Sequence, residues 1–148
     1  MRKTHPEVIA RRRVFERLFL AIVFLLSVTA VADDCSEGCK VVSRDGHFHL
    51  VARPVPEKPP LREYHDWTVE VQDVNGSPVD LAGLSVTGGM PGHGHGLPSQ
   101  PKVNEYLGGG RYRISGFLFN MHGEWTLRFH LAGQNLEDVA DLTLTLDY

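Results

Sequence analysis

From His47 onward the chain alternates apolar and polar residues with a period of two, and turn-forming residues break the run at short intervals. In HFHLVARP (His47–Pro54), His47 and His49 share one face and Phe48 and Leu50 the other. HDWTVEVQD (His65–Asp73) sets Trp67, Val69 and Val71 against Thr68, Glu70 and Gln72. A further strand is predicted from about Leu81 to Thr87, and another in KVNEYLGGG, ended by Gly108 to Gly110. RYRISGFLF alternates Tyr112 and Ile114 with Arg111, Arg113 and Ser115. WTLRFHLAG alternates Trp125, Leu127, Phe129 and Leu131 with Thr126, Arg128 and His130, and the closing VADLTLTLDY puts Leu142, Leu144 and Leu146 on one face. Side chains of a strand point to opposite faces in turn, so each of these reads as a half-buried strand. NGSP, NMHGE and GQNLEDV supply the turns, and PVPEKPPLREY is a proline-rich extended lead. Six or seven short strands, with no helical period among them, predict a small all-β antiparallel β-sandwich, its core filled by Trp67, Phe117, Trp125 and Phe129.

The first 32 residues do not share this pattern. RRRVFER (Arg11–Arg17) is basic, LFLAIVFLLSVTAV (Leu18–Val31) is apolar, and Ala30-Val31-Ala32 has the small-x-small form of a cleavage site. This is the pattern of a secretory signal, and it predicts a periplasmic or secreted domain. Retention of residues 18–32 as an uncleaved hydrophobic anchor helix is the alternative, although the run is shorter than the ~18–20 apolar residues of a spanning helix. Asp33-Asp34 stands where a lipoprotein signal needs small residues. The predicted organisation is therefore a signal over residues 1–32, then a cysteine-containing leader, first strand and proline-rich lead over 33–63. The main sandwich follows over 64–148.

Cleavage would change the charge. The 148-residue chain is formally −3, and the first 32 residues carry six basic and two acidic residues, so removing +4 leaves −7. An acidic domain without a basic run has no electrostatic footprint for nucleic acid. Cys35 and Cys39 stand in CSEGC. An oxidising compartment favours a disulfide between them, and a thiolate pair for a thiophilic metal is the alternative.

The stretch GGMPGHGHGLPSQP (Gly88–Pro101) is a loop by its glycines and prolines. It carries Met90, His93 and His95, with only glycine between the two imidazoles. Histidine is the commonest metal ligand, and thioether sulfur selects monovalent copper. Met121 and His122, in the NMHGE turn, would join this set if the fold brings both turns to the same end. The other reading is a tight turn whose histidines face water. His47 and His49 form a second pair that strand alternation already explains, and His65 and His130 stand alone. No serine nucleophile elbow, phosphate-binding loop or zinc-protease helix is present, so no enzyme is expected and no small-molecule substrate is evident.

GGMPGHGHGLPSQP, the spaced pattern GRYRI.G..F.M.G.W.L.F and the DWTVEV strand after a proline-rich lead occur in order from about Tyr64 to Leu131. In this the chain resembles the YtkA-like family, related to FixH-type proteins. The resemblance implies a small secreted or membrane-anchored immunoglobulin-like sandwich. FixH-type relatives are linked to assembly of copper-containing respiratory oxidases, and the family's loop positions fall on Met90, His93, His95 and Met121. His122 departs from the family pattern. The expected function is a copper-binding or copper-transfer accessory protein whose partner is a membrane or periplasmic cuproprotein. The alternative is a metal-free sandwich module that assembles with a membrane complex through an exposed strand edge.

Overall fold

The structure is a computed structural model that describes Cys35 and residues 38–147. The expected signal or anchor helix lies outside these residues. Among the described residues, nine strands form two sheets: β1 (Cys39–Val42), β2 (Phe48–Val55), β3 (His65–Asp73), β4 (Gly83–Met90), β5 (His95–Gly96), β6 (Lys102–Gly108), β7 (Arg111–Phe117), β8 (Gly123–Ala132) and β9 (Glu137–Leu146). One sheet has the order β1-β2-β3-β7-β6 and the other β5-β4-β8-β9. Neighbouring strands pair antiparallel throughout. The fold is thus the all-β sandwich that the alternation predicts.

The core lies between the two sheets. Phe48, Leu50 and Ala52 of β2, Trp67, Val69 and Val71 of β3, and Tyr112, Ile114 and Phe117 of β7 face Val86 and Met90 of β4 and the Trp125 to Leu131 series of β8. Leu142 and Leu146 of β9 complete it. Each fully buried aromatic or aliphatic side chain contributes about 1.5–3 kcal/mol of transfer free energy, so the inward series holds the sheets together. Phe119 and Trp125 pack with ring centroids 5.1 Å apart and close one end.

Two elements depart from the sequence pattern. Residues 39–42 lie in what reads as a leader, yet they form β1, an edge strand paired with His49–Ala52 of β2. Four residues are too few for a clear alternation, and Cys39 hides its inward position because it is bonded to Cys35. The disulfide has a Cα–Cα distance of 4.5 Å. The glycine-rich stretch is also less irregular than its composition implies. Gly88 and Gly89 form the last two pairs of the β4–β8 ladder, opposite Leu127 and Thr126, and a short β5 folds back beside β4.

The β4–β8 register decides what meets at each end. Gly83 pairs with Ala132 and Gly89 with Thr126, so the end of β4 lies beside the start of β8. The two turns that carry the histidines and methionines are therefore at the same end of the sandwich.

Candidate metal centre

The histidine hairpin is built by glycine. A Cβ on Gly89 would run into the carbonyl oxygen of His95 and come within 2.9 Å of the Gly96 Cα, so β5 can lie against β4 only where residue 89 has no side chain. After Met90 the chain makes one 3₁₀ turn, Pro91–His93, and Gly94 reverses it at φ 66°. Leu97 then donates its N–H to the Gly88 carbonyl at 2.8 Å and closes the hairpin. Met90 pairs with His95 across the ladder. The result sets the His93 and His95 rings side by side, with centroids 6.1 Å apart and planes inclined at 31°. Both are exposed to solvent. A groove of about 370 Å³ runs alongside, lined by Thr87, Gly89, Pro91, His95, Thr126 and Arg128 among others.

The second turn arrives from β7. Met121 is half-buried against the core, and the indole Nε1 of Trp125 donates to its carbonyl at 3.1 Å, which fixes the turn on β8. His122 is exposed. The 3₁₀ turn packs onto β8, with Cα atoms of the two elements within 8 Å. Met90, by contrast, is 1 % exposed and belongs to the core. Its Cε lies only 2.9 Å from where a Cβ on Gly123 would stand. One end of the sandwich thus holds His93, His95 and His122 at the surface, Met121 half-buried and Met90 beneath. Among the described residues, the three imidazoles do not offer nitrogens all within 4.8 Å of one another. The side chains share an end without being closed around a point.

The remaining sequence candidates lie elsewhere. Cys35 and Cys39 are joined to each other, so neither offers a thiolate. His49 is on the outer face of β2, and His65 is buried against Phe117 and Phe119. His130 faces outward, with Nε2 3.2 Å from the Thr87 hydroxyl.

His47 has a partner that the sequence does not point to. Its Nδ1 is 3.2 Å from Oδ2 of Asp138, whose side chain is 1 % exposed. The same carboxylate accepts backbone N–H groups from Asp45 at 3.2 Å, His47 at 3.3 Å and Val139 at 2.7 Å. Asp45, His47 and Asp138 present ligand atoms within 4.8 Å of one another. The Asp138 oxygens are already taken up by these donors, so the cluster fastens the turn between β1 and β2. Burial works against ionising Asp138, but the Ser43 hydroxyl and the three N–H groups prevail and hold its pKa at about 2. Asp138 lies 91 residues from His47, and only the fold brings them together.

The architecture and this end of it define a class: a small two-sheet β-sandwich domain that displays a histidine hairpin at one end. The chain belongs to the YtkA-like family, whose model matches residues 40–130, from β1 into β8. No curated protein and no solved structure matches it.

Proposed function

We propose that this domain binds copper outside the cytoplasm and serves as a copper-binding or copper-transfer accessory protein. The observation that carries this reading is the pairing of two exposed imidazoles, 6.1 Å apart, on a hairpin that can fold back on β4 only because residue 89 is glycine. A Gly-x-Gly frame with solvent-facing histidines has no packing role to fill, since neither ring is buried. His93 and His95 are the primary ligands in this reading, His122 reaches in from the neighbouring turn, and Met121 adds a thioether. Imidazole with thioether suits copper in both oxidation states, whereas imidazole alone would equally suit zinc. Open access from solvent fits an ion that is taken up and handed on, and the receiving partner would be a cuproprotein of the membrane or periplasm. The role is one of binding, not catalysis.

Titrating the domain with Cu(II), and with Cu(I) under reducing conditions, tests this. Replacing two direct ligands in His93→Ala/His95→Ala should weaken Cu(II) binding by more than about 100-fold, beyond the ~10–100-fold typical of residues that only support a metal site. Equal affinity in wild type and double variant would remove the assignment. In that event the metal-free reading stands, in which the sandwich acts as an assembly module through an exposed strand edge.

A further inference from the structure

Met90 stands in the middle of the histidine hairpin, yet its side chain points away from it. It is the last residue of β4, it pairs with His95 through its backbone, and its side chain turns inward to 1 % exposure. The methyl end of that side chain lies against Gly123, the first residue of β8 and the one directly after His122. Gly123 has φ 121°, a conformation that L side chains rarely adopt, and a Cβ there would stand 2.9 Å from Met90 Cε. The backbone of Met90 is thus continuous with the turn that carries His93, and its side chain presses on the backbone that carries His122. Trp125 holds the other side of that turn through the Met121 carbonyl.

We infer that Met90 is a positioning residue of the proposed copper site: a buried strut between the two histidine-bearing turns, with its thioether outside the ligand set. The inference rests on the copper reading above and refines it. An unbranched, flexible side chain is suited to fill a narrow gap between a strand end and a turn, which is how methionine serves in cores. With the strut in place, the backbones of residues 93 and 122 are held at one separation, and closing around an ion requires only side-chain rotation. Without it, the 120–123 turn loses the contact that sets its height under the hairpin. Closure must then be paid for in backbone ordering. Glycine at 123 is required by its φ of 121°, and the space a Cβ would occupy there is where the Met90 methyl sits.

Two substitutions separate a strut from a ligand. Met90→Ala removes both the sulfur and the filling volume, and Met90→Leu removes the sulfur but keeps most of the volume. Isothermal titration with Cu(II), and competition titration with Cu(I), should show Met90→Ala about 10–100-fold weaker, the range for residues that orient ligands, and Met90→Leu within about threefold of wild type. If Met90→Leu binds Cu(I) as poorly as Met90→Ala, the sulfur itself is a ligand and the strut is overturned. A readout without metal keeps the inference separate from the copper reading. In the apo protein, the His122 ring and Gly123 amide resonances should shift in Met90→Ala and stay near their wild-type positions in Met90→Leu. Unmoved resonances in Met90→Ala would overturn the strut even if copper binds. If the wild type binds no copper but those resonances move in Met90→Ala, the strut stands and only the copper reading is removed.

Discussion

His65 is 5 % exposed and packs against the rings of Phe117 and Phe119, with centroid distances of 6.0 and 5.3 Å. Its Nδ1 is 3.2 Å from the Glu63 carbonyl. A carbonyl only accepts, so Nδ1 carries the proton and Nε2 keeps a bare lone pair, which has no partner in the structure. Burial pushes the imidazole pKa below its ordinary 6.5, while the Glu63 carbonyl and the charge of Asp66 pull it partly back. A histidine whose folded pKa is depressed binds its proton more readily when unfolded. Its contribution to stability is therefore complete above pH ~6.5 and declines as the pH falls below that toward the folded value. His65→Phe keeps the ring packing and removes both the orphaned nitrogen and the titration. Its stability should lie within about 1 kcal/mol of wild type at pH 8, where one modest hydrogen bond is lost. Its stability relative to wild type should rise between pH 8 and pH 5, read as chemical-denaturation midpoints at the two pH values. The inward side of His65 is legible in the sequence from its parity with Trp67. Its tautomer is not, because the carbonyl that fixes it belongs to a turn whose path no period encodes.

Among the strands with a clean period of two, β3 begins and ends where HDWTVEVQD does, while β9 starts at Glu137, two residues inside what reads as a loop. The boundaries slipped where glycine removed the signal. Gly88 and Gly89 continue β4 although they present no side chain to alternate, and β5 is a strand of two residues that exists only because β4 has glycine opposite it. The turn between β1 and β2 was unreadable for a different reason, since its anchor is supplied from β9. Asp138 ties down Ser43, Asp45 and His47, and its pKa of about 2 lies below the ~3.9 of an unfolded aspartate. A depressed carboxylate stabilises the fold fully above the unfolded value, and that contribution is lost as the pH falls through about 2. The hairpin β1–β2 is accordingly expected to loosen between pH 4 and 2. Hydrogen exchange at the Asp45 and His47 amides should report this before the amides of β8 exchange. Asp138→Ala should open the same turn at neutral pH and cost about 1–3 kcal/mol, because the N–H groups of Asp45 and His47 lose their acceptor. Equal protection of those two amides in wild type and Asp138→Ala would show that the anchor lies elsewhere.

Across the whole molecule, the strongest sequence signals run from Tyr64 to Leu131, but the structure and the family match both begin before that. The YtkA-like match starts at residue 40, inside β1, and β2 pairs with β3 along eight consecutive positions from Phe48↔Asp73 to Val55↔Asp66. Phe48, Leu50 and Ala52 are each at most 4 % exposed and supply one side of the core beneath β3. A chain that begins at Tyr64 would lack these side chains and would expose the backbone edge of β3, together with the apolar surface that Phe48 and Leu50 cover. Losing two large core side chains costs about 3–6 kcal/mol in transfer free energy alone, against a total stability of about 5–15 kcal/mol for a domain of this size. The proline-rich segment, read from composition as an extended lead, is therefore an internal connection between paired strands of one sheet. A protein comprising residues 35–148 is expected to unfold in one cooperative transition with dispersed amide resonances, whereas 64–148 should show neither. The histidine hairpin lies wholly within 64–148, so this truncation also tests whether the site depends on the sandwich or is a property of its loop. Copper affinity that survives in the unfolded fragment would come from Gly-His-Gly-His as a peptide, and affinity lost with the fold would come from the second turn held beside it.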